Sequence, residues 1–151
     1  MVSKRQRIPV VLDTNVLVRA LKLRSRSSLN QQIVRLWLIR KRLQLIVSAD
    51  VIDEYLGVFR DVLDFDDDLL DDWRRRFLGD GRTTVVGLGR RYVASRDPDD
   101  NLMLSTAAAG RAEFLITNDR DLLDLPQSFV KSVRFRIVTP SGFFVSLDQG
   151  R

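Results

Sequence analysis

Short apolar runs alternate with segments of helical periodicity along this chain. The stretch IPVVL at 8–12 is continuously apolar, which is typical of a strand buried on both faces. In LNQQIVRLWLIRKR, residues 29–42, apolar residues recur near helical spacing. The pattern predicts five strands, at 8–12, 43–48, 83–88, 112–117 and 135–140. It predicts helices at 29–42, 48–63, 64–79, 97–110 and 118–126, with one final helical turn at 141–147.

The alternation of strands and helices sets the expected fold class. Parallel strands need crossover connections, so this order predicts an α/β fold with a mainly parallel sheet covered by helices on both faces. A length of 151 residues fits a single domain with one core. We therefore interpret 1–151 as one domain and expect loose tails at 1–7 and 148–151.

Two missing residue types narrow the chemistry. The chain has no cysteine, which excludes disulfides, thiolate metal sites and a cysteine nucleophile. It also has no histidine, which excludes the Ser-His-Asp triad and every imidazole base. A hydrolase with this composition must use carboxylates, hydroxyls, Lys or Arg, and we expect it to use a hard cation held by oxygen ligands as well.

The sequence contains no segment that indicates contact with a membrane. No apolar run is long enough to cross a bilayer. The apolar stretch near the start is too short for a signal-peptide core and is interrupted by Asp13. We expect a cytoplasmic protein with no membrane partner.

Charge is distributed unevenly. The formal net charge is +5, and residues 1–42 hold eleven Lys or Arg but a single acid. Residues 61–72 hold seven aspartates and no base. The basic part favours either a polyanionic partner or a solubilising surface, and charge alone does not choose between them.

Four acids are expected to lie at one edge of the sheet, where the parallel strands have their carboxyl ends. Asp13 directly follows the first strand, and Asp119 follows the strand at 112–117 by two residues. Asp100 lies in the first turn of the helix that leads into that strand, and Glu54 lies near the start of the helix after 43–48. In open parallel sheets, sites form beyond this edge.

Each acid also has a structural interpretation. Asp97 can cap a helix whose first turn holds Pro98, Asp99 and Asp100, where negative charge suits the helix dipole. Asp119 can cap a short helix in the same way. Asp13 is the hardest to explain structurally, because a buried acid at a strand end must be paired or bound to a metal.

A divalent cation accounts for the gathering of these acids. Close carboxylates repel one another unless a cation lies among them, and Mg²⁺ or Mn²⁺ binds to a few carboxylates while keeping several waters. Such an ion activates water and offsets charge on a phosphodiester without a histidine. Basic residues would then hold the polyanion.

Three blocks of the sequence resemble the PIN domain family. VVLDTNVLV resembles its opening strand and Asp-Thr-Asn turn, and SADVIDEY resembles the helix that carries its next acid. RDPDDNLMLSTAAAGRAEFLITNDRDLL resembles its third and fourth acidic elements in order and spacing. The resemblance implies a three-layer α/β/α sandwich and a metal-dependent ribonuclease that hydrolyses single-stranded RNA.

The resemblance also implies roles for individual residues. The catalytic acids would be Asp13, Glu54, Asp100 and Asp119. Of these, Asp13, Asp100 and Asp119 would bind Mg²⁺ or Mn²⁺ directly or through water, and Glu54 would hold a water of the ion or assist as base. Secondary residues would orient the ligands or the phosphate: Asp97, Asp121, Thr14, Asn15, Thr117 and Asn118. Which of Asp97, Asp99 and Asp100 faces the metal is left open, with Asp100 fitting the spacing best.

The resembling subgroup implies a biological setting. The subgroup consists of the toxin components of bacterial and archaeal toxin–antitoxin pairs. The resemblance therefore implies a cognate antitoxin with a basic side chain that enters the acidic pocket. A homodimer is possible. Two other classes compete with this interpretation. One is a non-catalytic PIN-like scaffold that binds RNA or protein. The other is a phosphotransfer or receiver-like α/β domain, which fits less well because Lys131 precedes the last strand.

Overall fold

The structure, a computed structural model, describes residues 7–22 and 28–150, and within these ranges it contains five strands and eight helices. The strands are β1 (Ile8–Leu12), β2 (Leu43–Val47), β3 (Thr83–Val85), β4 (Phe114–Ile116) and β5 (Arg136–Val138). The helices are α1 (Thr14–Leu21), α2 (Leu29–Leu38), α3 (Ala49–Leu63), α4 (Asp67–Gly79), α5 (Pro98–Ala109), α6 (Arg120–Leu123), α7 (Gln127–Ser132) and α8 (Pro140–Asp148).

All five strands form one parallel sheet in the order β3-β2-β1-β4-β5. The strand β1 lies at the centre, where Val10 pairs with Leu45 of β2 and with Phe114 of β4. From β1 the chain builds outward through β2 and β3 and then returns to add β4 and β5 on the other side. The order therefore reverses between β1 and β4, which is where open α/β sheets form their sites.

Helices cover both faces of the sheet, as predicted. On one face Phe114 packs edge-on against Phe143 of α8, with ring centroids 5.1 Å apart. On the other face the end of α5 lies close to Ile46: a Cβ at Gly110 would be 2.1 Å from the Ile46 Cγ2 atom. This close approach explains the glycine at the C-cap of α5, which lies at the end of the predicted helix 97–110.

Several predicted helix limits are wrong in detail. The helix predicted at 64–79 begins only at Asp67, because the Asp66 side chain caps it by accepting from the Leu69 amide; Gly79 is the last helical residue, before the C-cap residue Asp80. The expected final turn is a helix of nine residues, α8, whose N-cap is Thr139. Helices α1 and α7 were not predicted.

The ends of the chain and the helix lengths bear on two further expectations. Of the expected loose tails at 1–7 and 148–151, residues 1–6 and 151 lie outside the described residues, whereas Asp148 is the last residue of α8 and Gln149 is its C-cap. The longest helix in the described ranges, α3, has 15 residues. No helix in these ranges is long and apolar enough to cross a membrane.

Candidate metal centre

Asp13 lies at the carboxyl end of the central strand and is only 7% exposed. Its Oδ1 atom accepts from the Thr14 amide at 2.9 Å and so caps α1. Its Oδ2 atom accepts from the Thr117 hydroxyl at 2.6 Å and from the Asn15 side-chain amide at 3.1 Å. Three hydrogen bonds thus fix the orientation of this carboxylate.

Asp119 lies beside Asp13 because β4 pairs with β1. It is the N-cap of α6, where its Oδ1 atom accepts from the Asp121 amide at 2.9 Å. Its own amide donates to the Thr117 hydroxyl oxygen at 2.9 Å. Thr117, which is fully buried, therefore links the backbone of Asp119 to the carboxylate of Asp13.

Asp100 is the acid of the DPDDN motif that faces this edge. It is 3% exposed and accepts from the Ser95 hydroxyl at 3.1 Å. Asp97 is instead the N-cap of α5, accepting from the Asp99 amide at 2.9 Å, and Asp99 is exposed to solvent. Pro98 fills the first position of the helix.

The carboxylates of Asp13, Asp100 and Asp119 converge into one group, which we call the acid cluster. One oxygen of each lies within 4.8 Å of the others. In the described ranges, no Lys or Arg forms an ion pair with any of these three acids. A cluster of hard oxygen donors without a protein cation fits a divalent metal ion.

Burial and mutual repulsion make the acid cluster costly to ionise. Burial raises the pKa of Asp100 to about 7, and the negative charge of Asp119 adds to the effect. Burial also raises the pKa of Asp13, although its hydrogen bonds from Thr117 and Thr14 act in the opposite direction. A bound cation would reverse this balance and hold the carboxylates charged.

Glu54 lies near the acid cluster without belonging to it. It is half-buried on α3, and its pKa is raised first by burial and then by the charges of Asp99 and Asp13. The Thr14 hydroxyl has the smallest influence on that pKa and lowers it. The Thr14 Oγ1 atom is buried and has no well-formed hydrogen bond to any described residue. An unsatisfied buried hydroxyl beside two acids indicates room for a further polar group there.

The remaining predicted residues support the rim of the site. Asn118 donates through its backbone amide to the Asn15 Oδ1 atom at 3.2 Å, and its side-chain amide donates to Asn30 at 3.1 Å. Because Asn15 in turn donates to Asp13, these amides help to hold the cluster in place. Asp121 is exposed and lies 3.9 Å from Arg96, away from the three converging carboxylates.

Supporting residues that the sequence analysis did not identify reach the site through long-range hydrogen bonds. The Tyr55 hydroxyl donates to the carbonyl of Leu12, the residue before Asp13, at 2.5 Å. The hydroxyls of Ser48 and Thr106 share a buried hydrogen bond of 3.0 Å that joins α3 to α5. No local pattern marks these residues, because each partner is more than forty positions away.

Comparison with known families agrees with this geometry. A family model described as PIN domain matches residues 9–121, which include all three acids of the cluster. The chain belongs to the PIN domain family. PIN domains are generally nucleases, and the acid cluster of this PIN domain provides oxygen ligands of the kind that a divalent metal needs. No curated protein matches the chain.

Proposed function

We propose that this PIN domain is an endoribonuclease that hydrolyses phosphodiester bonds of single-stranded RNA and requires Mg²⁺ or Mn²⁺. One observation carries the proposal: three carboxylates from separate parts of the chain converge within 4.8 Å, and no Lys or Arg of the described ranges is paired with them. Leaving buried acids unpaired is unfavourable for stability. Such an arrangement is expected where a bound cation completes the site.

In this proposal, Asp13, Asp100 and Asp119 hold the ion. Thr117 and Asn15 fix the Asp13 carboxylate by hydrogen bonds of 2.6 and 3.1 Å, and Ser95 orients Asp100 by a hydrogen bond of 3.1 Å. Neighbouring hydrogen bonds of this kind set ligand geometry and commonly affect metal affinity by about 10–100-fold.

The ion supplies Lewis acidity, which lowers the pKa of water and offsets negative charge on the phosphodiester. Glu54, whose pKa is raised by burial, would accept the proton of the attacking water. The Thr14 hydroxyl, which has no well-formed partner among the described residues, would donate to that water or to a phosphate oxygen.

Cleavage of labelled RNA tests this function. Purified protein is incubated with a panel of single-stranded RNAs in Mg²⁺, in Mn²⁺ and in EDTA. We expect cleavage with either metal, none in EDTA, and none by Asp13→Asn. The matched control Asp61→Asn removes an exposed acid at the far end of α3 and should cut normally. Cleavage that persists in Asp13→Asn would indicate a contaminating nuclease. RNA binding without cleavage in any metal would favour a non-catalytic scaffold.

The biological setting belongs to the same proposal. The PIN domain acts in the cytoplasm as the toxin of a toxin–antitoxin pair, with a homodimer as its possible assembly. A cognate antitoxin inhibits it by placing a basic side chain in the acid cluster, where no described Lys or Arg is paired. Adding the product of the neighbouring gene should abolish cleavage, and cleavage that continues at saturating concentrations would count against this partner.

A further inference from the structure

A groove adjoins the acid cluster on the side of Ser95. It lies between the loop at 91–96 and the first half of α5, and its volume is about 360 Å³. This is within the range of roughly 300–1,000 Å³ for small-ligand pockets. Ser95 lines the groove while its hydroxyl donates to Asp100, so Ser95 connects the groove directly to a proposed metal ligand.

The loop that forms the outer wall of the groove is anchored to α5. The Asn101 side chain accepts from the Ser95 amide at 2.8 Å and donates to the Ser95 carbonyl at 2.7 Å. The Ser105 hydroxyl oxygen accepts from the Tyr92 amide at 2.9 Å. The wall is therefore formed before a ligand arrives, which reduces the ordering that binding requires.

Two arginines give the groove its positive charge. Arg91 lies 3.6 Å from Asp50 with its side chain 67% exposed, and Arg96 lies 3.9 Å from Asp121 with its side chain 89% exposed. Exposed pairs at these distances are weak. Either guanidinium can therefore turn to a phosphate, which it matches with two parallel hydrogen bonds.

The groove also presents apolar surface. Val93 is 86% exposed, and Leu102 and Pro98 line the opposite wall. Positive charge beside apolar surface suits a nucleotide of a single strand, because the phosphates meet the arginines while the base covers apolar atoms. A basic peptide would be repelled by the same arginines.

We propose that this groove is the subsite for the nucleotide next to the scissile phosphate of single-stranded RNA. Arg91 and Arg96 hold its backbone, and Val93 and Leu102 contact its base. This inference rests on the proposed ribonuclease function, but binding can be measured apart from cleavage. The groove would then place the RNA so that the adjoining phosphodiester reaches the acid cluster.

Fluorescence anisotropy of a labelled eight-nucleotide RNA, in EDTA so that nothing is cut, tests the subsite. Relative to the unsubstituted protein, the double variant Arg91→Gln/Arg96→Gln should bind at least about tenfold more weakly. Its slope of log affinity against log salt should be shallower by about 1.4, since each phosphate contact on a single strand contributes about 0.7. Val93→Ala removes two methyl groups and should weaken binding by about fourfold with an unchanged slope, because the base is expected to cover about one of them.

The control is Arg60→Gln/Arg75→Gln, which removes the same charge from two exposed arginines that also lie beside aspartates. Equal weakening in both double variants would mean a general charge effect and would overturn the subsite. Unchanged binding in the groove variants, or displacement of the RNA by an acidic peptide that binds more tightly, would also overturn it. Thermal melting of each variant confirms folding.

Cleavage by the unsubstituted protein with Mn²⁺ separates the two proposals. If it cuts RNA but the groove variants bind normally, the nuclease function stands and the subsite is wrong. If the groove variants lose binding but the unsubstituted protein never cuts, the groove is an RNA-binding site, and both the nuclease function and the placement of the groove beside a scissile phosphate are wrong.

Discussion

The two most acidic regions of the molecule have opposite character. The acidic segment, residues 61–72, has seven aspartates in twelve positions, and all of them are exposed. The acid cluster has three aspartates from positions as distant as 13 and 119, and two of them are less than 10% exposed. The density of acids along the chain is therefore a poor guide to where negative charge is costly.

The difference lies in what surrounds each carboxylate. In the acidic segment, Asp66 caps α4, Asp67 and Asp68 lie in its first turn, and Asp72 pairs with Arg75. Water and the helix dipole stabilise these charges. In the acid cluster, burial and repulsion oppose ionisation, and no Lys or Arg of the described ranges is paired to offset them. Substitutions in the two regions should therefore differ in their effects on metal binding and on stability.

Replacing Asp100 by Asn should have the largest effect. It removes one proposed ligand, so Mn²⁺-dependent cleavage should fall at least about 100-fold. In EDTA the same variant should melt at a higher temperature, because a neutral amide does not carry the burial cost of the carboxylate. Cleavage assays and thermal melting measure the two effects. A variant that cuts normally, or that melts lower in EDTA, would remove Asp100 from the metal site.

Lowering the pH should weaken metal binding. Protons and metal compete for Asp100, whose pKa is about 7, so apparent Mn²⁺ affinity should fall by up to about tenfold per pH unit below that value. Calorimetric titration between pH 5.5 and 8 measures it.

The free energy of unfolding of the metal-free protein should instead increase as the pH falls. Because the pKa of Asp100 is higher in the folded state than its ordinary value of 3.8, the folded state binds the extra proton between these values. The stabilisation from Asp100 protonation is full below about pH 4 and is lost as the pH rises through 7. A metal affinity that does not change with pH would contradict both expectations.

Replacing Tyr55 by Phe should have a smaller effect on the site. The hydroxyl is the partner of the Leu12 carbonyl, and its loss leaves that buried acceptor unsatisfied directly before Asp13. We expect about tenfold weaker Mn²⁺ binding and about 1–3 kcal/mol lower free energy of unfolding. Phe59→Leu, which changes a neighbouring buried ring without touching the Leu12 carbonyl, is the matched control. Equal loss of metal affinity in both variants would indicate a packing effect only.

Neutralising the acidic segment should have the smallest effect. Asp67→Asn/Asp68→Asn should leave Mn²⁺ affinity and cleavage within about twofold. It should lower the free energy of unfolding by only about 0.3–1 kcal/mol per residue, through the helix dipole. Denaturant unfolding and the RNA assay provide the measurements. A large loss of cleavage would mean that the charges of the acidic segment affect the acid cluster, so that the two regions are not independent.

The fold and the outline of the site were predictable because they depend on local patterns. Alternating strands and helices specify a parallel sheet, and the connectivity of such a sheet brings Asp13, Asp100 and Asp119 to one edge. That pattern left the choice among Asp97, Asp99 and Asp100 open, although the spacing favoured Asp100, which is the one that converges with the other two acids. The choice depends on the rotation of α5 about its axis, which is set by contacts such as Gly110 against Ile46.

Some of the residues that support the acid cluster could not be identified from the sequence. In the sequence, Tyr55 fits the apolar pattern of α3. Its role at the site depends on its hydrogen bond to the Leu12 carbonyl, which is 43 positions away. The groove beside Ser95 is formed by an irregular loop, for which hydrophobic periodicity gives no signal.

The position of β1 at the centre of the sheet has a consequence for the newly made chain. Asp13 follows β1 directly, whereas the neighbouring strand β4, with Asp119 behind it, is translated about a hundred residues later. Parallel pairing over such a separation forms late in folding. A nascent chain that has not yet formed β4 therefore carries only part of the acid cluster, and under the proposed function no complete metal site meets nearby RNA until Asp119 has been added.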